Sequence, residues 1–211
     1  KNNLQTRFFV VSLVHNFCEV LMKNKTDVIV VGGGPAGLSA AFAVAKAGKS
    51  VILIERGNFS GSKNVFGGAI YIKPTKDIFP NFEEEAPLER KTVNHKYVVF
   101  TEDESVAASY YNRFHEENGS YSVLRAKFDK WMASEVEKAG AVLVTETVVR
   151  NLIVKENKVV GVKTELEEYY ANIVILADGV NSLLAKQIGL RKDLKPCDVA
   201  LGVKEVIKLS K

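Results

Sequence analysis

A glycine-rich loop carries the clearest chemical signal in the chain. Residues 32–37 read GGGPAG and directly follow the apolar, β-branched run at 28–31. A loop of this kind between a strand and a helix binds phosphates, because its backbone approaches the ligand closely and the helix N-terminus presents free N–H groups. Gly32 is predicted to allow the tight turn, Gly34 the approach to a pyrophosphate, and Gly37 the packing of the helix on the strand.

The residues after the loop predict the elements that position it. Apolar residues recur at helical spacing over 38–45, the helix ends before Gly48, and residues 51–54 form a second apolar strand. The strand ends at Glu55, near the roughly 20-residue interval at which an acid reaches ribose hydroxyls. Together these features predict a dinucleotide-binding unit rather than an ordinary glycine-rich turn. The carboxylate favours a ribose without a 2′-phosphate, and the unit suits FAD and NAD equally.

Composition describes an ordinary globular chain and narrows the function classes. The 211 residues are 46% hydrophobic and 26% charged, and 29 basic residues face 25 acidic ones in a surplus that is spread along the chain. This is unlike the clustered basic face of a nucleic-acid binder, so we expect no nucleic-acid partner. Cys18 and Cys197 lie far apart without a CxxC motif, which excludes a zinc or iron–sulfur site built from this chain alone. Redox chemistry would need a bound cofactor.

The sequence after the second strand departs from a plain NAD-binding domain. Residues 58–71 predict a loop rich in Gly, Ser and Asn, and residues 72–89 continue irregularly with three prolines. Strands at 97–100 and 105–111 then predict a hairpin instead of a further βαβ unit. We interpret this stretch as part of a second, β-rich domain that interrupts the nucleotide domain.

The nucleotide domain is predicted to resume at residue 121. We predict a strand at 121–124, a helix carrying Phe128, Trp131, Met132 and Val136 on one face, and strands at 142–144 and 173–176. Residues 147–154 are expected to pair with 158–164, so a β-meander takes the place of a crossover helix. The last strand leads into Ala177, Asp178 and Gly179, a turn signal before another helix.

These motifs carry a family resemblance. In chain order they are GGGPAG, IERG, GSKNVFGGAIY, APLER, LRAKFDKW, ILADGVNS and ALGVKE. The order resembles the flavoproteins that include aromatic hydroxylases and geranylgeranyl reductases, and in particular the FixC-type electron-transfer flavoprotein-quinone oxidoreductases. The resemblance covers about residues 25–206. It implies an α/β fold: a Rossmann-like FAD-binding domain with a parallel sheet and a β-meander crossover, interrupted by part of a β-rich substrate domain.

The same resemblance predicts the domain organisation. Residues 1–22 are interpreted as a leader, with Met22 as the expected natural start. The FAD-binding domain is predicted at 23–71 and 120–195, and fragments of the substrate domain at 72–119 and 196–211. Families of this type continue into a larger substrate domain, so the C-terminal portion is expected to be absent.

The resemblance also implies roles for individual residues. Those predicted to bind the FAD pyrophosphate are Gly32, Gly34, Pro35, Ala36 and Gly37. Those predicted to lie at the adenosine are Glu55 and Arg56 at the ribose, and Val149 through its backbone at the adenine. Those predicted at the flavin nucleotide and the second FAD-contacting turn are Arg125, Ala177, Asp178 and Gly179. Gly67 and Gly68 are predicted to run alongside the isoalloxazine ring.

Each role has an ordinary structural alternative. Arg125 would otherwise be a solvated charge in the first turn of its helix, where it opposes the helix dipole. The Asp178-Gly179 pair would be a plain β-turn, and the Gly67-Gly68 pair a flexible surface loop. Lys63 could place a positive charge near the flavin or a phosphate, and its alternative is a solvated lysine. None of the three histidines has a neighbour that suggests acid–base work, so no catalytic side chain is assigned.

Three functions follow from the resemblance and the pattern. The main hypothesis is an FAD-dependent oxidoreductase that passes electrons from an electron-transfer flavoprotein to a quinone, with a ferredoxin-like protein as a further partner. Such a protein is expected to be cytoplasmic and peripheral to the inner face of the membrane. The alternatives are a geranylgeranyl-type prenyl reductase that uses FAD, and a non-catalytic FAD-binding fragment.

Overall fold

A six-stranded sheet carries the glycine-rich loop in the computed structural model, which describes residues 25–64, 67–111 and 119–200. The strands are β1 (Thr26–Val31), β2 (Val51–Ile54), β3 (Gly67–Tyr71), β4 (Leu88–Thr92), β5 (Asn94–Phe100), β6 (Ser105–Tyr111), β7 (Ser120–Leu124), β8 (Val142–Val144), β9 (Asn151–Lys155), β10 (Lys158–Lys163) and β11 (Glu168–Leu176). The helices are α1 (Pro35–Lys46), α2 (Ile72–Ile78), α3 (Phe82–Glu85), α4 (Arg125–Lys138) and α5 (Leu183–Gln187), followed by a 3₁₀ turn at Pro196–Asp198.

The parallel half of the sheet contains the predicted apolar runs. The strand order is β8-β2-β1-β11-β10-β9, and the first four strands are parallel. Val28 and Val30 lie in one buried cluster with residues of α1 and α4, whereas Ile29 and Val31 lie in a second cluster on the opposite face. Because both faces are covered, the strands are continuously apolar and not alternating, as the sequence predicted.

The β-meander covers the second face of the sheet. Strand β11 is shared, since residues 168–170 pair with β10 and residues 171–176 pair with β1. Val162 of β10 is fully buried in the same cluster as Ile29 and Ile52. The predicted replacement of a crossover helix by three antiparallel strands is therefore confirmed, with β9 beginning at Asn151 instead of residue 147.

The region between β2 and α4 differs from the prediction in two ways. Residues 67–71 form strand β3 and not the end of a loop, and β7 joins β3 and β4 in a separate antiparallel sheet of order β3-β7-β4. Residues 72–78 and 82–85 form two short helices where irregular structure was expected, although the first of them contains Pro74. Pro74 lies in the first turn of α2, where its missing N–H removes no helical hydrogen bond.

The second sheet combines strands from both sides of the predicted domain boundaries. Strands β3 and β7 come from segments assigned to the FAD-binding domain, and β4 from the predicted substrate-domain fragment. Ile72, Phe79 and Phe82 are also buried in the same cluster as α1 and α4. The predicted division of the chain into domains stays a prediction. The leader at 1–22 and most of the closing segment 196–211 lie outside the described residues.

The predicted hairpin is present as β5 and β6. The two strands pair antiparallel along their whole length, from Asn94 opposite Tyr111 to Phe100 opposite Ser105. Its apolar side chains face solvent in the described part of the chain: Val99, Phe100 and Val106 are each 75% exposed.

Candidate cofactor-binding site

A cleft of about 440 Å³ opens where β1, β2 and β11 end. The carboxyl ends of parallel strands form the usual ligand crevice of an open α/β sheet, and the volume lies in the range of small-molecule and cofactor sites. Its lining comes from five separate stretches of chain, which are residues 31–34, 54–64, 125–129, 147–149 and 177–184. Three of the stretches, residues 31–34, 54–64 and 177–184, adjoin the ends of β1, β2 and β11. A fourth, residues 125–129, begins α4.

The glycine-rich loop forms the floor of the cleft, and its glycines differ in their surroundings. Gly32 has a φ of +107°, and a Cβ there would overlap the carbonyl oxygen of Ala177. A Cβ on Gly37 would overlap the carbonyl oxygen of Gly32, so α1 packs closely only with glycine at this position. A Cβ on Gly34 would meet nothing within 4 Å. Gly32 and Gly37 are therefore required by the fold, and Gly34 is open toward the cleft.

The N-terminus of α1 presents donors without acceptors. Gly34 is the N-cap and Pro35 the first helical residue, and within the described chain no side chain caps this helix or places an acid in its first turn. The first hydrogen bond inside the helix runs from the Leu38 N–H to the Gly34 carbonyl, at 2.9 Å. The preceding N–H groups and the helix dipole favour an anion at this end.

Glu55 has a structural task in addition to the predicted ribose contact. Its Oε2 accepts the Gly33 N–H at 2.6 Å, its Oε1 accepts the Gly57 N–H at 2.6 Å, and the residue is buried. The carboxylate thus joins the glycine-rich loop to the turn after β2. Each oxygen has a further acceptor site, so the ribose contact stays a prediction.

Arg125 lines the cleft and is paired with Asp129. The Nε donates to Oδ1 of Asp129 at 2.8 Å and the Nη2 donates to Oδ2 at 2.9 Å. Asp129 lies one helical turn further along α4, so its carboxylate offsets the unfavourable position of a cation at the start of the helix. Arg125 is thus a paired group with a side chain only 21% exposed, and not the solvated charge of the alternative interpretation.

The Asp178-Gly179 turn, which follows β11, also lines the cleft. Oδ2 of Asp178 accepts the Leu184 N–H at 3.0 Å, which satisfies a backbone donor in the first turn of α5. Gly179 has a φ of +78°, and its carbonyl oxygen accepts the Ser182 hydroxyl at 2.7 Å. The turn is therefore held by two hydrogen bonds, and it lines the same cleft as the glycine-rich loop. Its predicted contact with FAD stays a prediction.

The structure brings most of the predicted residues together. Those that line the cleft are Gly32, Gly34, Glu55, Arg56, Arg125, Val149, Ala177, Asp178 and Gly179. Pro35, Ala36 and Gly37 form the first turn of α1 behind the loop. Gly67 and Gly68 lie in β3, paired with Leu124 and Val123, and do not line the cleft. Their predicted flavin contact stays a prediction.

Sequence reasoning missed several lining residues. Gly33 had a sequence signal, because it lies between Gly32 and Gly34 in the glycine-rich loop. In the structure, a Cβ on Gly33 would lie 2.7 Å from Oγ of Ser60. Asp129 also had a sequence signal, because a carboxylate four residues after an arginine lies on the same face of a helix. Thr147 and Val148 lie in an irregular connection between β8 and β9 that no sequence pattern marks.

The comparison with protein families decides the assignment. A family model described as FAD dependent oxidoreductase matches residues 27–187. The chain belongs to this family. FAD is therefore its cofactor, and the ambiguity between FAD and NAD that the loop left open is resolved.

Curated relatives of the chain include Protein FixC of Escherichia coli strain K12, 46% identical over 187 residues. Protein FixC of Bradyrhizobium diazoefficiens is 41% identical over 191 residues. Both matches cover 88% of this chain and 44% of the relative. The chain thus spans less than half the length of these proteins. The sequence identity confirms the predicted resemblance to FixC.

Solved structures share the fold. A geranylgeranyl bacteriochlorophyll reductase-like protein from Thermoplasma acidophilum is 29% identical with a TM-score of 0.65, covering 79% of this chain and 42% of that one. A myxobacterial FAD-dependent halogenase is 23% identical with a TM-score of 0.61, covering 76% and 39%. These neighbours confirm the predicted α/β fold with its mostly parallel sheet.

Proposed function

We propose that the protein passes electrons from an electron-transfer flavoprotein through bound FAD to a quinone. The observation that carries this proposal is the similarity to FixC, at 46% identity over 88% of the chain. The motif order of the sequence, which resembles the FixC-type quinone oxidoreductases, supplies the donor and the acceptor. FAD, when bound, supplies the redox chemistry of such an enzyme, and the protein supplies binding, orientation and electrostatics.

The cleft has the donor set that an FAD pyrophosphate needs. The open position at Gly34 and the uncapped N-terminus of α1 fit an anion in contact with backbone. Arg56 and Lys63 also line the cleft, and neither has an ion-pair partner among the described residues. We assign the pyrophosphate to this end of the cleft, held by Gly32, Gly34 and the first turn of α1.

The remaining contacts extend to either side of the pyrophosphate. Glu55 and Arg56 are assigned to the adenosine ribose, with Arg56 adjoining the acid that fixes the loop. The backbone of Val149 lines the cleft, and neither its N–H nor its carbonyl has a hydrogen-bond partner among the described residues, which suits a contact with adenine. Arg125 and the turn of Asp178 and Gly179 are assigned to the flavin nucleotide, and Gly67 and Gly68 to the neighbourhood of the isoalloxazine ring.

The protein's own part in electron transfer needs no catalytic side chain. His95 is the histidine that the described residues include, and it lies on β5, away from the cleft. The chain's contribution in this proposal is to hold the dinucleotide and to exclude water from the sheet side, where Val31, Ile54 and Leu184 of one buried cluster line the cleft.

The partners and location are proposed on the same resemblance. An electron-transfer flavoprotein is the donor, a quinone the acceptor, and a ferredoxin-like protein a further partner, with the protein cytoplasmic and peripheral to the inner face of the membrane. Among the described residues, no helix is long and apolar enough to cross a bilayer.

The test uses the full-length protein with purified electron-transfer flavoprotein. We expect FAD to co-purify, and reduced electron-transfer flavoprotein to reduce a soluble quinone analogue at a rate that depends on the protein. The matched control is the Gly34→Asp variant, which we expect to lack FAD. If the protein binds FAD but does not reduce the quinone when reduced electron-transfer flavoprotein is supplied, the proposed donor and acceptor are contradicted.

A prenyl reductase is the second candidate. The observation that favours it is the 29% identity to the geranylgeranyl bacteriochlorophyll reductase-like protein, with a TM-score of 0.65. Mass spectrometry of a geranylgeranyl lipid incubated with the reduced protein tests it, because saturation adds two mass units per double bond. Turnover in this assay, with no quinone reduction, would replace the first candidate. Bound FAD with turnover in neither assay would leave the non-catalytic FAD-binding module.

A further inference from the structure

A buried acid that lines the cleft, Asp129, has no assigned part in binding the cofactor. The Asp129 side chain is 1% exposed, and both of its oxygens accept hydrogen bonds from Arg125. A carboxylate is expensive to bury, and such a pair often contributes less to stability than apolar residues of the same size would. The burial of this particular acid therefore points to a task that a hydrophobic side chain at position 129 would not perform.

The geometry of the pair leaves the arginine able to bind a second acceptor. A guanidinium has five N–H groups in a rigid plane, and Asp129 takes one from Nε and one from Nη2. Two parallel bonds of 2.8 and 2.9 Å fix that plane. The other three N–H groups are uncommitted to Asp129, and the side chain borders the cleft.

The loop after β2 packs closely against the pair. Gly61 has a φ of +90°, and a Cβ there would lie 2.8 Å from the Cβ of Asp129 and 3.2 Å from the Cα of Ala126. The loop backbone thus packs directly against the first turn of α4. Gly61, Arg125 and Asp129 all line the cleft, so this packing places the Asp129 side chain at the cleft wall.

We propose that Asp129 is a positioning residue for FAD: its carboxylate orients the guanidinium of Arg125 so that the remaining N–H groups meet a phosphate or ribose oxygen of the cofactor. This rests on the proposed contact between Arg125 and the flavin nucleotide. Arg125 supplies the charge and the donors, and Asp129 supplies their direction. An acid that served the fold alone would affect the stability of the protein without affecting Arg125 as a ligand.

The experiment measures FAD affinity and stability separately in full-length protein. FAD is removed, its dissociation constant is obtained by flavin fluorescence titration, and urea unfolding of the FAD-free protein gives the stability. We expect Asp129→Asn to weaken FAD binding about ten- to a hundredfold, because the guanidinium loses the charged hydrogen-bond partner that fixes its direction. Glu135→Gln removes an ion pair from the same helix outside the cleft, and it should leave FAD affinity unchanged.

Two further variants keep the test decisive if Asp129→Asn does not fold. Arg125→Lys keeps the charge but cannot make the two parallel bonds, and it should also weaken FAD binding about tenfold or more. In an Arg125→Ala background, a second change at Asp129 should have little additional effect on FAD affinity, because the group that it orients is gone. Unchanged affinity in Arg125→Lys, or an undiminished effect of Asp129→Asn without Arg125, would overturn the proposal. Neither donor nor quinone enters this assay, so its outcome is independent of the proposed electron-transfer partners.

Discussion

The candidate cleft and the β5–β6 hairpin differ in how their side chains are surrounded. At the cleft, the acids Glu55, Asp129 and Asp178 each accept hydrogen bonds from the protein itself, and the strands beneath are buried on both faces. On the hairpin, the side chains of Val99 and Val106 lie opposite each other and are each 75% exposed.

The difference shows that a local sequence pattern can form strands with or without burial of their apolar side chains. Around the cleft, local sequence and tertiary contacts agree, because the apolar runs are strands that other elements cover. On the hairpin, backbone pairing is complete but the apolar residues gain nothing from burial in the described structure. A conservative change should therefore have a large effect at the cleft and a small one on the hairpin.

The largest effect is expected from Gly37→Ala, which tests whether the cleft is as closely packed as its contacts indicate. The new Cβ would overlap the Gly32 carbonyl and lie 3.2 Å from Cγ1 of Val30. We expect a loss of about 3 kcal/mol in the free energy of unfolding, together with loss of FAD binding. Urea unfolding followed by circular dichroism measures it. A stability equal to wild type would show that α1 is free to move off β1.

A change at Gly34 should separate binding from folding at the same loop. No atom lies within 4 Å of a Cβ there, so Gly34→Asp should fold with near wild-type stability. Its carboxylate would repel the pyrophosphate, and we expect FAD affinity to fall on the order of a hundredfold or more. The measurement is the flavin absorbance of protein that has been incubated with FAD and then separated from unbound FAD. Gly34→Ala is the smaller, uncharged control. Normal flavin content in the aspartate variant would place the pyrophosphate elsewhere.

Glu55→Ala should cost about 2 kcal/mol of stability, since it leaves the buried N–H groups of Gly33 and Gly57 without their acceptor. FAD binding should weaken as well, because the glycine-rich loop loses the side chain that connects it to the turn after β2. Urea unfolding of FAD-free protein isolates the structural part, and Glu55→Gln, which keeps one acceptor oxygen, should lie between the alanine variant and wild type. An alanine variant with unchanged stability would mean that the acid acts on the ribose alone.

The smallest effect is expected from Val99→Thr on the hairpin, within about 0.5 kcal/mol of wild type in the 211-residue chain. The matched change Val30→Thr buries a hydroxyl in the core of the sheet, where the valine is 0% exposed, and should cost about 2 kcal/mol. Urea titrations of both variants give the comparison directly. Equal losses would show that the hairpin face is covered, and would remove the contrast between the two regions.

Much of the fold followed from local patterns. The run at 28–31, the glycine loop, the helix stop at Gly48 and the strand at 51–54 are all as predicted, because a buried parallel strand needs a continuous apolar sequence and a tight turn needs glycine. The hairpin and the meander were also predicted, since antiparallel neighbours in sequence are joined by short turns. Nine of the predicted site residues line one cleft because they lie at the ends of these elements.

The sequence was a poorer guide where pairing partners lie far apart. Gly67 and Gly68 were predicted as loop, and they form a strand because β7, more than fifty residues later, supplies the partner. The prolines at 74–87 suggested irregular structure, but burial of Ile72 and Phe82 against α1 and α4 stabilises two short helices there. Neither partner is visible from the local pattern.

The sequence by itself indicated a dinucleotide site, because the glycine-rich loop, its helix and the acid after β2 are local features whose backbone geometry the residue types impose. Only the tertiary structure decided how the charged groups around that site are used. It committed Glu55 to the Gly33 and Gly57 N–H groups and paired Arg125 with Asp129 against the loop at Gly61. Hydrogen-bond partners depend on which segments meet at the end of the sheet, and that meeting is a property of the fold.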